Sequence, residues 1–236
     1  MTAYDVKREL DKHESPEDAV FLQRFFKTGK GQYGAGDIFI GLRVPLTRKI
    51  SKQFKDLSLD EIEKLLESPV HEHRLSALII MTEQCKKASL EHRKALYNLY
   101  LKRTDRINNW DLVDVSCRDV VGGYLLNKPR DALYKLAKSK NIWERRIAMV
   151  ATWQFIREGQ LEDTFKVSAI LRDDSHDLIQ KAVGWMLREA GKKDVAALKD
   201  FLDNNAKVMP RTELRYAVER LSPHDKEYYM GMKAAA

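Results

Sequence analysis

Cysteine, proline and glycine are all scarce in this chain of 236 residues. The 6 prolines and 11 glycines are too few for a sheet-and-turn architecture or for disordered linkers. The two cysteines, Cys85 and Cys117, lie far apart, and neither belongs to a CxxC pair. This spacing excludes a zinc ribbon and a thioredoxin-like motif, so we expect two buried free thiols, as in a reducing compartment.

Long hydrophobic runs are missing as well. The longest, residues 78–81, is far too short to cross a bilayer, and the charged N-terminus lacks the apolar core of a signal peptide. We therefore expect a cytoplasmic protein with no membrane partner. The chain ends in three alanines, and we expect a frayed tail at about 231–236.

Positive charge is abundant. The formal net charge is +7 at pH 7, charged residues make up 33% of the chain, and hydrophobic residues make up 44%. This composition is typical of a globular protein with a sizeable core. A basic balance favours a polyanionic partner such as nucleic acid, although many basic proteins have none.

Helical periodicity dominates the sequence. Residues 61–67 place Ile62, Leu65 and Leu66 on one stripe, and residues 74–81 form a second, mostly apolar helix. Ser58 followed by Glu61 has the spacing of a capping box, and Asn109 and Ser139 are further candidate caps. We predict an all-α fold in a single domain over residues 1–236.

Similar helical segments recur at a spacing of roughly 35 residues, the length of a two- or three-helix repeat. Such repeats stack into a solenoid with a concave face, although helical bundles also produce weak periods by chance. If the repeats stay in register, the concave face carries a basic stripe of Arg74, Arg146, Lys181 and Arg215.

Trp110 and Asp114 are the first pair of residues that could carry out chemistry. They are four residues apart, so they share one helix face. An aromatic ring and a carboxylate together stabilise positive charge, and the carboxylate can also orient a water molecule. Without context, such a tryptophan usually belongs to the core and such an aspartate usually faces water.

Two further segments combine tryptophan with basic residues. Trp185 shares a helix face with Lys181 and Arg188, a pattern that suits a nucleic-acid surface. Arg145 and Arg146 follow Trp143, and Arg146 has the planar fork that grips phosphate. The alternatives are a core tryptophan with Gly184 permitting close helix packing, and ion pairs for the arginines.

Other motifs are weaker. Residues 31–37 are glycine-rich but lack the GK[ST] of a P-loop and do not follow a strand, so they more simply order a loop. His71 and His73 have metal-like proximity but no supporting ligand cluster, and we expect surface histidines and no metal site.

Four segments resemble those of the AlkD-like DNA alkylation repair family, in order and over about residues 30–220. They are residues 41–45 (GLRVP), 109–114 (NWDLVD), 141–146 (NIWERR) and 179–189 (IQKAVGWMLRE). The resemblance implies an all-α solenoid of HEAT-like repeats that cradles duplex DNA and works without a cofactor. It also implies a monofunctional glycosylase that removes 3-methyladenine and 7-methylguanine without flipping the base into a protein pocket.

By position, the resemblance makes Asp114 the catalytic carboxylate. It makes Trp110 and Trp185 the aromatics beside the lesion's deoxyribose, and Arg146 an arginine near the lesion. With the register of the repeats, it predicts a DNA-contacting set of Arg43, Arg74, Arg145, Lys181, Arg188, Arg211 and Arg215. We expect a monomer that acts on alkylated double-stranded DNA, at the nucleoid of a bacterial cytoplasm.

Alternatives remain open. Val44 stands where the family pattern suggests a polar DNA contact, and some relatives lack activity. A non-catalytic solenoid that binds distorted or branched DNA needs the basic stripe but not Asp114. A protein-interaction scaffold would favour an apolar or acidic groove, which the aligned arginines and lysines oppose.

Overall fold

The computed structural model describes residues 1–232, and residues 233–236 of the expected frayed tail lie outside them. Residues 1–232 contain helices and no strand, apart from a single isolated bridge between Ile38 and Val70. The predicted all-α fold class is therefore confirmed. The scarcity of proline and glycine and the 3.6-residue spacing of apolar positions account for it.

The residues divide into two compact units, of which the first comprises Met1–Tyr124 and the second begins at Leu125. That the whole chain forms one domain stays a prediction. No helix among the described residues is long and apolar enough to cross a membrane.

The first unit is built around α5, which is buried along almost its whole length. Helices α3, α4 and α7 pack against it. The helices of this unit are α1 (Ala3–Asp11), α2 (Pro16–Gln23), α3 (Val44–Ser51), α4 (Leu59–Leu66), α5 (His71–Cys85), α6 (Leu90–Lys102) and α7 (Trp110–Cys117). A 3₁₀ turn, Lys52–Phe54, follows α3, while α7 continues through a π-helical turn, Arg118–Gly122, into the short α8 (Gly123–Leu125).

The second unit is built around α10 and α12. Helices α9 and α11 pack on α10, and α13 and α14 pack on α12. Its helices are α9 (Asp131–Ala137), α10 (Ile142–Arg157), α11 (Glu162–Leu171), α12 (Asp177–Lys193), α13 (Val195–Asn205), α14 (Arg211–Ala217) and α15 (Pro223–Gly231).

The helix starts follow side-chain caps, though not always the predicted ones. Asn109 caps α7 as predicted, since its side-chain oxygen accepts from the Trp110 N–H at 2.8 Å. The predicted capping box at Ser58 is wrong, because Ser58 makes no side-chain cap bond and Glu61 instead accepts from the Ala3 N–H. Ser139 lies two residues before the true cap of α10, Asn141.

The two cysteines are buried thiols outside any disulfide, as predicted. Burial raises the pKa of the Cys85 thiol to about 12, so it stays protonated and unreactive at neutral pH.

Candidate functional site

Trp110 and Asp114 lie on one side of α7, in its first and second turns. Both side chains are half-exposed, whereas Leu112 and Val113 between them are fully buried. The local sequence causes this arrangement: the apolar pair faces the core, and the aromatic–carboxylate pair faces outward. The predicted pair therefore shares an accessible helix face.

The indole of Trp110 is held from behind by other rings. Phe26 stacks on it with a centroid distance of 5.2 Å and an interplanar angle of 18°. Phe26 in turn stacks on Phe39 at 4.9 Å, and Phe39 stacks on the His71 ring at 4.5 Å. Stacked rings at these distances restrict one another's orientation, so one face of Trp110 is covered and fixed.

Beneath these rings lies a buried group of four ionisable side chains, which we call the ionic cluster: Asp37, His71, Arg74 and Asp111. His71 Nε2 lies 2.7 Å from Asp111 Oδ2, and His71 Nδ1 lies 3.2 Å from Asp37 Oδ2. Arg74 donates to Asp37 Oδ1 at 2.6 Å. Two positive groups thus face two carboxylates, which is how proteins accommodate buried charge.

The cluster keeps His71 and Asp37 charged. Burial opposes protonation of His71, but the Asp111 charge and hydrogen bonds to Asp111 and Asp37 outweigh it and raise the pKa to about 9. Burial would raise the pKa of Asp37, but the hydrogen bond from His71 and the charge of Arg74 lower it. The imidazolium therefore donates from both ring nitrogens at neutral pH.

The prediction that His71 and His73 are surface histidines is wrong. They are 2% and 4% exposed, and His73 bonds Ser68 Oγ at 2.9 Å and Asp11 Oδ1 at 2.8 Å. Within residues 1–232, no group of three or more His, Cys, Asp or Glu side chains is arranged to hold a metal.

Arg74 is not available for DNA, which corrects its place in the predicted DNA-contacting set. It is 1% exposed and, besides Asp37, donates to the backbone oxygens of Ser68 and Pro69 and to Asn108 Oδ1. Its guanidinium is buried in the ionic cluster.

In the second unit, Trp185 is half-exposed on α12 and makes an edge-to-face contact with Trp153, with centroids 5.1 Å apart. Gly184 before it lies so close to α14 that a Cβ would stand 2.4 Å from the Glu213 backbone oxygen. Gly184 therefore permits close helix packing, which is the alternative role given to it above. Lys181 and Arg188 lie on the same helix, where Lys181 pairs with Asp177 at 2.7 Å and Arg188 pairs with Glu219.

Arg146 and Arg145 occupy different environments at the start of α10. Arg146 is 5% exposed and donates to the backbone oxygen of Leu178 on α12 at 2.5 Å. Arg145 is half-exposed and bonds Asp174 at 2.6 Å and the backbone oxygens of Ser139 and Lys140.

These bonds show which positions are equivalent in successive helices. Arg145 bonds the carbonyls six and five residues before it, as Arg74 does. Gln180 bonds the Asp174 carbonyl, also six residues before it. The equivalent positions are therefore Arg74, Arg145 and Gln180, and the predicted stripe through Arg146 and Lys181 is shifted by one residue. Since Arg74 and Arg146 are both buried, the basic stripe does not form as predicted.

The remaining predicted cations lie at the surface. Arg43 is exposed, pairs with Asp18 at 2.9 Å and lies 5.9 Å from the centre of the Phe21 ring. Arg211 is exposed and donates to the backbone oxygen of Met230, and Arg215 is exposed on α14. These side chains remain candidates for phosphate contact.

Sequence reasoning did not find Phe26, Asp37, His71 or Asp111 as a group that supports Trp110. The available signal was weak: the glycine-rich residues 31–37 end in Asp37, and Asp111 directly follows Trp110. Asp37 and Asp111 are 34 and 40 residues from His71 in the sequence, and no local spacing links the three residues.

An all-helical fold of this kind recurs in a solved structure from Enterococcus faecalis, described as a predicted DNA alkylation repair enzyme. The likeness covers 89% of this chain and 97% of that one, with a TM-score of 0.71 and 20% sequence identity. The model of the DNA alkylation repair enzyme family matches residues 6–221. The chain therefore belongs to that family. No curated protein matches the sequence.

Proposed function

We propose that this protein is a monofunctional DNA glycosylase that hydrolyses the N-glycosidic bond of cationic alkylated purines, 3-methyladenine and 7-methylguanine, in duplex DNA. The observation that carries the proposal is the half-exposed face of α7, where Trp110 and Asp114 stand together in a member of the DNA alkylation repair enzyme family.

The chemistry needs only groups of this type. An alkylated purine already carries positive charge and is a good leaving group, and its departure moves that charge to the sugar as an oxocarbenium ion. A carboxylate and an electron-rich ring beside the sugar stabilise that cation more than the ground state. Asp114 also orients the attacking water. Since no general acid protonates the base, neutral adducts leave too slowly to be substrates.

Trp110 meets the sugar with the part of its indole that Phe26 leaves uncovered. Trp185 supplies a second aromatic surface. Arg146, which is 5% exposed and bonds the Leu178 carbonyl, acts near the lesion by holding the start of α10 and not as a phosphate contact. Phosphate contacts come from the surface cations, namely Arg43, Arg145, Lys181, Arg188, Arg211 and Arg215. The resemblance to AlkD-like enzymes supports excision by a cytoplasmic monomer without flipping the base into a pocket.

The test is release of 7-methylguanine and 3-methyladenine from methylated duplex DNA under single-turnover conditions, with wild type beside Asp114→Asn. We expect the variant to lose roughly 100-fold or more in rate, because a neutral amide cannot stabilise the oxocarbenium ion. DNA binding, measured by fluorescence anisotropy, should change little, since the surface cations remain.

Asp200→Asn is the matched control, because Asp200 is an exposed aspartate on α13. It should excise at the wild-type rate. A wild-type protein that binds the duplex but releases neither base would reject the glycosylase proposal in favour of a non-catalytic DNA-binding protein.

A further inference from the structure

Trp110 lies in residues 108–111, and the other three residues of this segment are bonded within the ionic cluster. Arg74 donates to Asn108 Oδ1 at 3.2 Å, Asn109 Nδ2 donates to Asp37 Oδ2 at 3.2 Å, and His71 bonds Asp111 at 2.7 Å. Trp110 is the fourth residue, and its ring is held by Phe26. The backbone on both sides of the indole is therefore fixed by buried, charge-assisted bonds.

His71 is the hub of this arrangement. It is 2% exposed and bonds both Asp37 and Asp111. Its ring centroid lies 4.5 Å from that of Phe39 and 5.1 Å from that of Phe26. It therefore joins the glycine-rich loop, the aromatic stack and the start of α7. A histidine needed only to fill space would not require two carboxylate partners in a dry interior.

We propose that His71 is a positioning residue, which rests on the proposed function: by bonding Asp111 and Asp37 it holds residues 108–111 so that the Trp110 indole faces the lesion's sugar. His71 does not contact the DNA. It acts through Asp111 on the helix start and through the aromatic stack on the ring.

Three charged groups face His71: Asp37 from the loop, Asp111 from α7 and Arg74 from its own helix. Removal of the imidazolium proton leaves only one ring nitrogen able to donate, so one carboxylate loses its bond. The orientation of Trp110 should then change as His71 titrates, which occurs near pH 9.

The first measurement is ¹⁹F NMR of the full chain labelled with 5-fluorotryptophan, which gives one signal for each of the four tryptophans. Trp110→Phe assigns the signal of interest. We expect the Trp110 signal to shift with a midpoint near pH 9 in wild type and to lose that transition in His71→Gln. A Trp110 signal that does not respond between pH 7 and 10 would overturn the proposal.

The second measurement is the single-turnover excision rate at pH 7, separated from the Kd for DNA. His71→Gln should slow excision about tenfold to a hundredfold, because small misplacements of a reacting group cost this much, and should leave the Kd nearly unchanged. His73→Gln is the matched control, since His73 is equally buried on the same helix but bonds Ser68 and Asp11 instead. Equal losses in both variants would show a structural role only and would overturn the proposal.

The two measurements separate this inference from the proposed function. If wild type releases no base, the glycosylase proposal fails, and the fluorine titration alone decides whether His71 positions Trp110. The same titration of wild type decides the case if His71→Gln does not fold.

Discussion

Two glutamates are equally buried, one in each unit, and they show opposite ways of placing a carboxyl group in the interior. Glu72 is 1% exposed and accepts from the backbone N–H groups of Ile40, Gly41 and Leu42 at 2.9–3.2 Å. Glu213 is 0% exposed, and neither of its oxygens has a hydrogen-bond partner among the described residues. The two carboxyl groups therefore differ in their hydrogen-bond donors and not in their depth.

The difference extends to the two tryptophans. Trp110 is anchored through charges, because the ionic cluster fixes the residues around it. Trp185 is anchored through close packing, because Gly184 lets α12 approach α14 where Glu213 lies. Changes to charge should therefore damage the first unit, and changes to volume should damage the second.

The largest effect is expected from Arg74→Met. It removes one member of the ionic cluster and leaves Asp37 short of a partner, which should cost about 3–5 kcal/mol of unfolding free energy. Urea denaturation at pH 7 measures it, and hydrogen exchange should show the loss in α7. Arg8→Met is the control: Arg8 pairs only loosely with Asp5 at the surface, at 3.9 Å, so its loss should cost about 0–1 kcal/mol. Similar costs for both variants would mean that the cluster adds nothing to the anchoring of Trp110.

The second largest effect is an expected gain, and not a loss, of unfolding free energy at high pH. Burial raises the pKa of Glu213 to about 8 from the ordinary 4.5, so the folded protein holds a proton that the unfolded chain releases above pH 4.5. This group therefore lowers stability progressively as the pH rises from 4.5 to 8. Glu213→Gln, which resembles the protonated form, should abolish this pH-dependent loss of stability. Its stability relative to wild type should therefore be higher at pH 8.5 than at pH 4.5 by on the order of 4 kcal/mol.

Glu72→Gln makes the matching change at the buried glutamate of the first unit. A glutamine keeps one oxygen for the Gly41 and Leu42 N–H groups, but its amide nitrogen replaces Oε2 and cannot accept from the Ile40 N–H, so this variant should lose about 1–3 kcal/mol. Urea denaturation of both variants and wild type from pH 4.5 to 8.5 measures these changes in unfolding free energy. If Glu213→Gln keeps the wild-type pH dependence, Glu213 is not the titrating group.

The sequence predicted what depends on local spacing. Trp110 and Asp114 share a helix face as their four-residue interval requires, and Asn109 caps α7. The Ser58 capping box failed because Glu61 bonds the Ala3 N–H, 58 residues away. The prediction of surface positions for His71 and His73 is wrong because their carboxylate partners come from distant segments. The repeat register was wrong by one residue because bonds to preceding carbonyls, which no residue pattern reveals, define Arg145 as the equivalent of Arg74.

The smallest effect expected is that of Gly184→Ala, and its pH dependence tests how the two features of the second unit are linked. An added Cβ would lie 2.4 Å from the Glu213 backbone oxygen and 2.5 Å from Tyr216 Cβ, so α14 must move away. Overpacking of this kind costs about 1–3 kcal/mol, and the better helix propensity of alanine offsets up to about 1 kcal/mol. Separation of the helices also admits water to Glu213, which makes its ionisation easier. The cost should therefore be smaller at pH 8.5 than at pH 5.5 in urea denaturation. A cost that is the same at both pH values would mean that the close approach at Gly184 and the burial of Glu213 are independent.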